Sequence, residues 1–234
     1  MMDSKNYLVI GGTSGIGLRT MQLLLDEGHQ VWATAHSTPE NERHDGIPFT
    51  TFHADGELNI PNLPDQLDGV VYAPGTIDLK PFHRINPEDF VADYTTNVLG
   101  LIKVIHYALP MLKKSTQASV VMFSTVAVQH GFPFHSKVAA SKGAVEGLCR
   151  SLAAEYAPAI RFNCIAPSLT DTPLAAGLLN TEAKREANAA RNPMKRIGTT
   201  DDVANMAVFL LSDKSSWITG QILAVDGGAS TLKV

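Results

Sequence analysis

With 234 residues, 44% of them hydrophobic and 18% charged, the chain has a globular composition, which excludes a disordered or fibrous protein. A formal net charge of −4 without a basic run argues against nucleic acid or an anionic lipid surface as partner. No run of about 18 apolar residues exists to span a membrane. The N-terminus leads from Met-Met-Asp-Ser-Lys straight into an apolar strand, without a signal-peptide core. The length suits a single α/β domain covering 1–234. The two cysteines, Cys149 and Cys164, have no metal-ligand spacing and read as buried free thiols of a reducing, cytoplasmic compartment.

In chain order, strand-like and helix-like segments alternate. Tyr7–Ile10 is a short apolar run ending in glycines, and helical spacing follows from Ile16 to Leu25. Val31–Thr34, Phe49–Phe52 and Val70–Ala73 read as buried strands. The segment from His36 to Gln66 is rich in turn-forming residues and predicts an abbreviated crossover. A long helix is expected from Pro87 to Leu112, with Pro110 ending or kinking it. Ser119–Phe123 is a strand, and Ala139–Glu155 is an amphipathic helix carrying a Glu146/Arg150 pair. Ile160–Ala166, a helix over Asp201–Leu211 and a strand over Ile222–Val225 complete the pattern. Continuous apolar strands separated by helices imply a doubly wound α/β fold, here a seven-stranded parallel sheet covered on both faces.

Gly11-Gly12-Thr13-Ser14-Gly15-Ile16-Gly17 lies between the first strand and the first helix. A helix N-terminus there offers unpaired N–H groups and a positive dipole end to a pyrophosphate, so a Rossmann-like dinucleotide-binding turn is expected. After the second strand comes Thr34-Ala35-His36-Ser37-Thr38, with no carboxylate before Glu40. A carboxylate would bond ribose hydroxyls and repel a 2′-phosphate. His36 and Ser37 are hydrogen-bond donors there, which favours NADP(H) over NAD(H); a solvated loop histidine is the alternative.

The Gly-x-x-x-Gly-x-Gly spacing resembles that of the short-chain dehydrogenase/reductase family, and further matches run nearly the whole chain. Asp55 resembles the residue that contacts adenine. Ala73-Pro74-Gly75 resembles the family's Asn-Asn-Ala-Gly stretch without its asparagines. Pro167-Ser168-Leu169-Thr170-Asp171-Thr172-Pro173 resembles the loop that holds the nicotinamide carboxamide, and Ile218 to Gly228 is similar to the usual chain end. The resemblance implies an oxidoreductase acting on a ketone or ketoacyl group, small or carrier-linked. It also implies a homotetramer or dimer joined through the two long helices and the last strand.

The same resemblance assigns Asn97 and Lys142 to the family's catalytic positions. Thr125 stands where serine is usual, keeping a hydroxyl for the substrate oxygen. The catalytic tyrosine, four residues before the lysine, is replaced by Val138. Its phenol would be activated by the lysine's charge; an isopropyl group donates no proton. None of Tyr7, Tyr72, Tyr94, Tyr107 and Tyr156 has a lysine four residues later, so the loss is not an error of register. Lys142, directly or through a water, and His135 are candidate replacements, with His130 and Ser136 weaker ones. His135 also reads as a solvated loop residue. A protein that binds the dinucleotide without turnover remains the alternative. The segment of about 172–198 is expected to form a substrate cover. Its Leu178, Leu179 and Met194 are candidate pocket residues, with helical packing an equal reading, and Lys184, Arg185, Arg191, Lys195 and Arg196 make it basic, as a solvated helix face or for an anionic or carrier-linked substrate.

Overall fold

The computed structural model describes residues 4–36 and 49–233; Ser37, Thr38 and Glu40 lie outside the described residues. Seven strands form one sheet: β1 (Asn6–Ile10), β2 (Gln30–Ala35), β3 (Phe49–Thr51), β4 (Gly69–Tyr72), β5 (Ala118–Phe123), β6 (Ile160–Pro167) and β7 (Ile222–Val225). Their order is β3-β2-β1-β4-β5-β6-β7, and every pairing is parallel.

Alternation along each strand builds two cores. Leu8 and Ile10 join Val70, Tyr72, Val120 and Met122 on one face, against α3 (Gly100–Leu112) and α4 (Ser136–Tyr156). Tyr7 and Val9 join Val71, Val121 and Ile165 on the other, against α1 (Gly15–Asp26) and α6 (Thr200–Leu211). Each fully buried aliphatic side chain contributes about 1.5–3 kcal/mol, so the same short strands hold both helical layers. Cys149 and Cys164 are buried free thiols, as expected, and burial pushes the Cys149 thiol up to about 12.

The long helix runs as anticipated but not uniformly. α2 (Pro87–Tyr94) starts with a reciprocal Asn86/Asp89 capping box and Pro87 in its first turn. A single π-helical turn, Thr95–Leu99, then leads into α3. Pro110 does not end the helix, which continues to Leu112. The hydrogen bond lost at Pro110 is offset by the complete burial of Ala108 and Leu112 on either side.

Between β6 and α6 the chain leaves the sheet through a 3-10 turn (Pro173–Leu178) and α5 (Glu182–Arg191). A parallel bridge between Thr170 and Gly198 closes the neck of this excursion. Among the described residues no helix is long and apolar enough to cross a membrane.

Candidate active site

Strand order reverses between β1 and β4, and the connections leaving the two strands diverge there. A crevice outside the carboxyl ends of the strands is the result, the place where sheets of this kind bind ligands. The crevice is a cleft of about 570 Å³. It is lined by Ile16 after β1, Ala73–Thr76 after β4, Thr125 after β5, and Pro167, Ser168, Thr170 and Thr172 after β6.

The glycine turn fits a phosphate. Gly11 has φ +78°, and a Cβ at Gly17 would stand 2.2 Å from the Gly11 carbonyl oxygen. The residue types are therefore dictated by the close approach of α1 to the turn. Ser14 precedes α1 without a side-chain cap, and no acidic residue occupies its first turn. Its N–H groups and dipole are left to an anion. Gly11 N–H donates to Thr34 Oγ1 at 3.3 Å and Gly12 N–H to the Thr34 carbonyl at 2.9 Å, tying the turn to β2. At the end of β2, His36 is exposed and packs edge-to-face on His53, ring centroids 5.0 Å apart. Asp55 is exposed in the turn after β3.

At the other end of the cleft, α4 presents Val138 and Lys142 one turn apart, both lining the space. Each is only 7% exposed. Burial pushes the Lys142 ammonium down to about 8, opposed by Cys164 and Asp93. The Thr125 hydroxyl accepts from the Ala127 N–H at 3.3 Å, which leaves its own hydrogen free to donate into the cleft. Asn97 lies behind this surface, fully buried within the π-helical turn, a distortion that often marks a functional position. His135 lines the cleft, with Nδ1 2.7 Å from the Pro133 carbonyl and its ring against Phe132. His130 is exposed outside it, and the buried Ser136 hydroxyl has no partner among the described residues and does not line it.

The cover is less apolar than expected. Leu178 lines the cleft, but Leu179 is 2% exposed in the core and Met194 is 62% exposed beside a smaller depression. Side-chain direction on the turn, not residue type, makes that difference. Most of the basic residues are committed: Arg185 forks onto Asp171 at 2.7 and 3.2 Å, and Arg196 onto Asp202 at 2.6 and 2.8 Å. Lys184 bonds Asn180 and the Gly177 carbonyl, and Lys195 the Ala190 carbonyl. Arg191 lines the cleft and has no such bond among the described residues.

Several neighbours of the site escaped the sequence reading. Asp93 is 3% exposed and receives hydrogen bonds from Thr76 Oγ1 and from Asn97 Nδ2, the latter at 3.2 Å. Ser124 donates to the buried Glu146 at 2.7 Å, and Arg150 adds the anticipated pair at 3.3 Å. Lys137, beside Val138, is tied to Asp78 at 2.7 Å. The Asp93/Asn97 spacing of four on one helix was a readable signal; the Thr76 and Ser124 contacts are tertiary and left no trace in the sequence.

A doubly wound sheet with an uncapped glycine turn at its switch point defines a Rossmann-like dinucleotide-binding protein. The family model described as enoyl-(acyl carrier protein) reductase matches residues 61–230. A tropinone reductase homologue of Arabidopsis thaliana is 34% identical over 244 residues, covering 97% of this chain and 93% of the relative. The 3-oxoacyl-(acyl-carrier-protein) reductase of Thermotoga maritima is 31% identical, covering 97% and 98%. The ligand-free aldohexose dehydrogenase of Thermoplasma acidophilum superposes with a TM-score of 0.87 at 26% identity, covering 98% and 95%. The chain belongs to the short-chain dehydrogenase/reductase family, and is an oxidoreductase of that type.

Proposed function

We propose that the chain reduces a ketone or ketoacyl group with NADP(H), and that Lys142 delivers the proton for which relatives use a tyrosine. The observation that carries this reading is the placement of Lys142: in the cleft, one turn from Val138, with burial holding its ammonium near 8. A donor with a pKa close to the working pH is matched to proton transfer.

The residues present fit a nicotinamide dinucleotide. The turn Gly11, Thr13, Ser14, Gly15, Ile16 and Gly17 would hold its pyrophosphate, His36 and Ser37 the 2′-phosphate, and Asp55 the adenine. Ala73, Pro74 and Gly75, with Pro167, Ser168, Thr170, Thr172 and Lys142, would hold the nicotinamide half. When bound, the nicotinamide supplies a hydride. The Thr125 hydroxyl donates a hydrogen bond to the carbonyl oxygen as negative charge builds there. Lys142 gives that oxygen its proton, directly or through a water, and becomes a neutral amine. His135, on the cleft wall, is the second candidate donor. Support for NADP(H) comes from His36 at the end of β2, and from the structural likeness to ElxO with NADP bound, TM-score 0.85 at 25% identity.

The substrate class, a small or carrier-linked carbonyl, follows the named reductases above. Assembly as a homo-oligomer is supported by exposed Val91 and Leu99 along the α2–α3 helix, by Phe82 in the turn before it, and by Trp217, 98% exposed ahead of β7. A monomeric mass in solution would refute it. The cytoplasm is the compartment that fits two buried, unpaired thiols.

A second reading is favoured by Val138: a protein that binds the dinucleotide without turnover. Carbonyl-dependent NADPH oxidation over a ketone and ketoacyl panel separates the two, once wild type and Val138→Tyr have both been shown to bind cofactor. Turnover by the wild type supports the reductase. Turnover by Val138→Tyr alone supports the binding protein.

A further inference from the structure

Behind the cleft, one buried carboxylate has no place in the chemistry described so far. Asp93, on α2, takes hydrogen bonds from Thr76 Oγ1 and Asn97 Nδ2, and its backbone carbonyl accepts a second bond from Asn97 Nδ2 at 2.9 Å. Asn97 Nδ2 also lies 3.2 Å from Thr76 Oγ1. Three oxygens therefore surround one amide nitrogen. A flipped amide would set Oδ1 against the Asp93 carboxylate and carbonyl, so the orientation is chosen by the network. The amide oxygen is consequently turned away from Asp93, and it is buried without a partner among the described residues. Where it faces is marked by Gly75: a Cβ built there would lie 3.6 Å from Asn97 Oδ1 and 3.6 Å from Lys142 Nζ. The unpartnered acceptor and the buried ammonium flank the same glycine.

Lys142 makes no hydrogen bond to any described residue. Its electrostatic surroundings are Asp93 from α2 and the Cys164 thiol from β6, which burial keeps protonated. Glu146, one turn further along α4, is engaged by Ser124 and Arg150. Asp93 is thus the formal negative charge that bears on the ammonium.

We propose that Asp93, with Thr76, is a positioning residue for the proton donor: it locks Asn97 with Oδ1 facing Lys142 and keeps the Lys142 ammonium loaded with its proton. The acceptor and the charge act together. Oδ1 accepts an O–H from a water that the ammonium holds, and the carboxylate opposes loss of the proton that burial encourages. After Lys142 has given its proton to a substrate oxygen, the same pair favours uptake of the next one from water. This role rests on Lys142 being the donor, but the state of Lys142 is measurable without turnover.

The test is an NMR titration of the cofactor-free protein with 13Cε-labelled lysine, the Lys142 signal being assigned through Lys142→Met. Asp93→Asn keeps the shape and removes the charge. It is expected to lower the Lys142 midpoint by about half a pH unit or more, roughly threefold in proton affinity. Asn97→Leu, which removes the acceptor and leaves Asp93, is expected to move the midpoint the same way, and carries the test alone if Asp93→Asn does not fold. In turnover, the alkaline limb of kcat is expected to move to lower pH by the same amount, with cofactor Kd changed by less than about twofold. A midpoint unmoved in the folded variants overturns the inference. A midpoint that moves in a protein without turnover upholds it and removes the reductase reading alone.

Discussion

Val138 and Lys142 lie one turn apart on α4 and line the same cleft, so the buried ammonium has a hydrocarbon one turn away on its own helix. The relation has two physical consequences. An isopropyl group provides no hydrogen-bond partner for the ammonium, and both side chains are buried, so the amine is largely desolvated. Dryness is what pushes Lys142 down to about 8. The chain thus holds, one turn from Val138, a lysine able to give up its proton near neutrality.

Val138→Tyr returns a phenol to this position, and the cleft of about 570 Å³ has room for the ring. General-acid groups contribute roughly 10²–10⁴-fold. If Lys142 already supplies the proton, the tyrosine adds less than about tenfold to kcat/KM. The measurement is NADPH oxidation with matched ketone substrates, and a gain near the top of that range identifies an idle scaffold.

Lys142 also has a stability signature. Its pKa falls from 10.5 to about 8 on folding, which costs about 3 kcal/mol at neutral pH. The sign follows from proton counting. Between about 8 and 10.5 the unfolded chain binds the extra proton, so stability rises with pH across that window. Lys142→Met is therefore expected to stabilise the cofactor-free protein by about 1–3 kcal/mol at pH near 7 while abolishing reduction, with the gain shrinking towards pH 10. Urea unfolding at the two pH values checks it; a variant less stable than wild type at neutral pH contradicts the buried charge. In turnover, the reductive rate is expected to fall as pH rises through about 8, where the donor loses its proton.

What the sequence disclosed depended on the range of the interaction. The strands were legible because a parallel sheet demands continuous apolar runs, and β1 and β5 are such runs. The glycine turn was legible because its glycines are contiguous between a strand and a helix, and Lys142 because the block Ser141–Ala144 resembles the family's. Asp93 was only partly so: its spacing of four from Asn97 is local, but its contact with Thr76 spans 17 residues and joins a loop to a helix. The π-helical turn at Thr95–Leu99 was hidden. There the Tyr72 hydroxyl, delivered from β4, donates to the Thr96 carbonyl at 2.5 Å, a tertiary contact with no local signature. Leu179 and Met194 show the converse limit: both have the residue type of a pocket wall, packing was the equal reading, and neither lines the cleft.

Gly17→Ala tests the phosphate turn. The added methyl would lie 2.2 Å from the Gly11 carbonyl oxygen and 3.0 Å from Ala73 Cβ, so backbone must move. Overpacking of this kind typically costs 1–3 kcal/mol, about the loss expected in thermal or urea unfolding. Because α1 is pushed off the turn, NADPH affinity is expected to fall by at least about tenfold. A variant with unchanged Kd would place the phosphates elsewhere.

The end of β2 decides between the two dinucleotides. His36 is exposed there, its ring held edge-to-face by His53. His36→Asp introduces the carboxylate that bonds ribose hydroxyls in NAD-binding proteins of this topology and repels a 2′-phosphate. Position 36 is exposed, so folding should be little affected, and the readout is the ratio of NADPH to NADH dissociation constants by cofactor fluorescence. The ratio is expected to move towards NADH by about tenfold, or 1.4 kcal/mol. An unmoved ratio would mean that the 2′-position does not contact this residue, and the preference for NADP(H) would lose its main support.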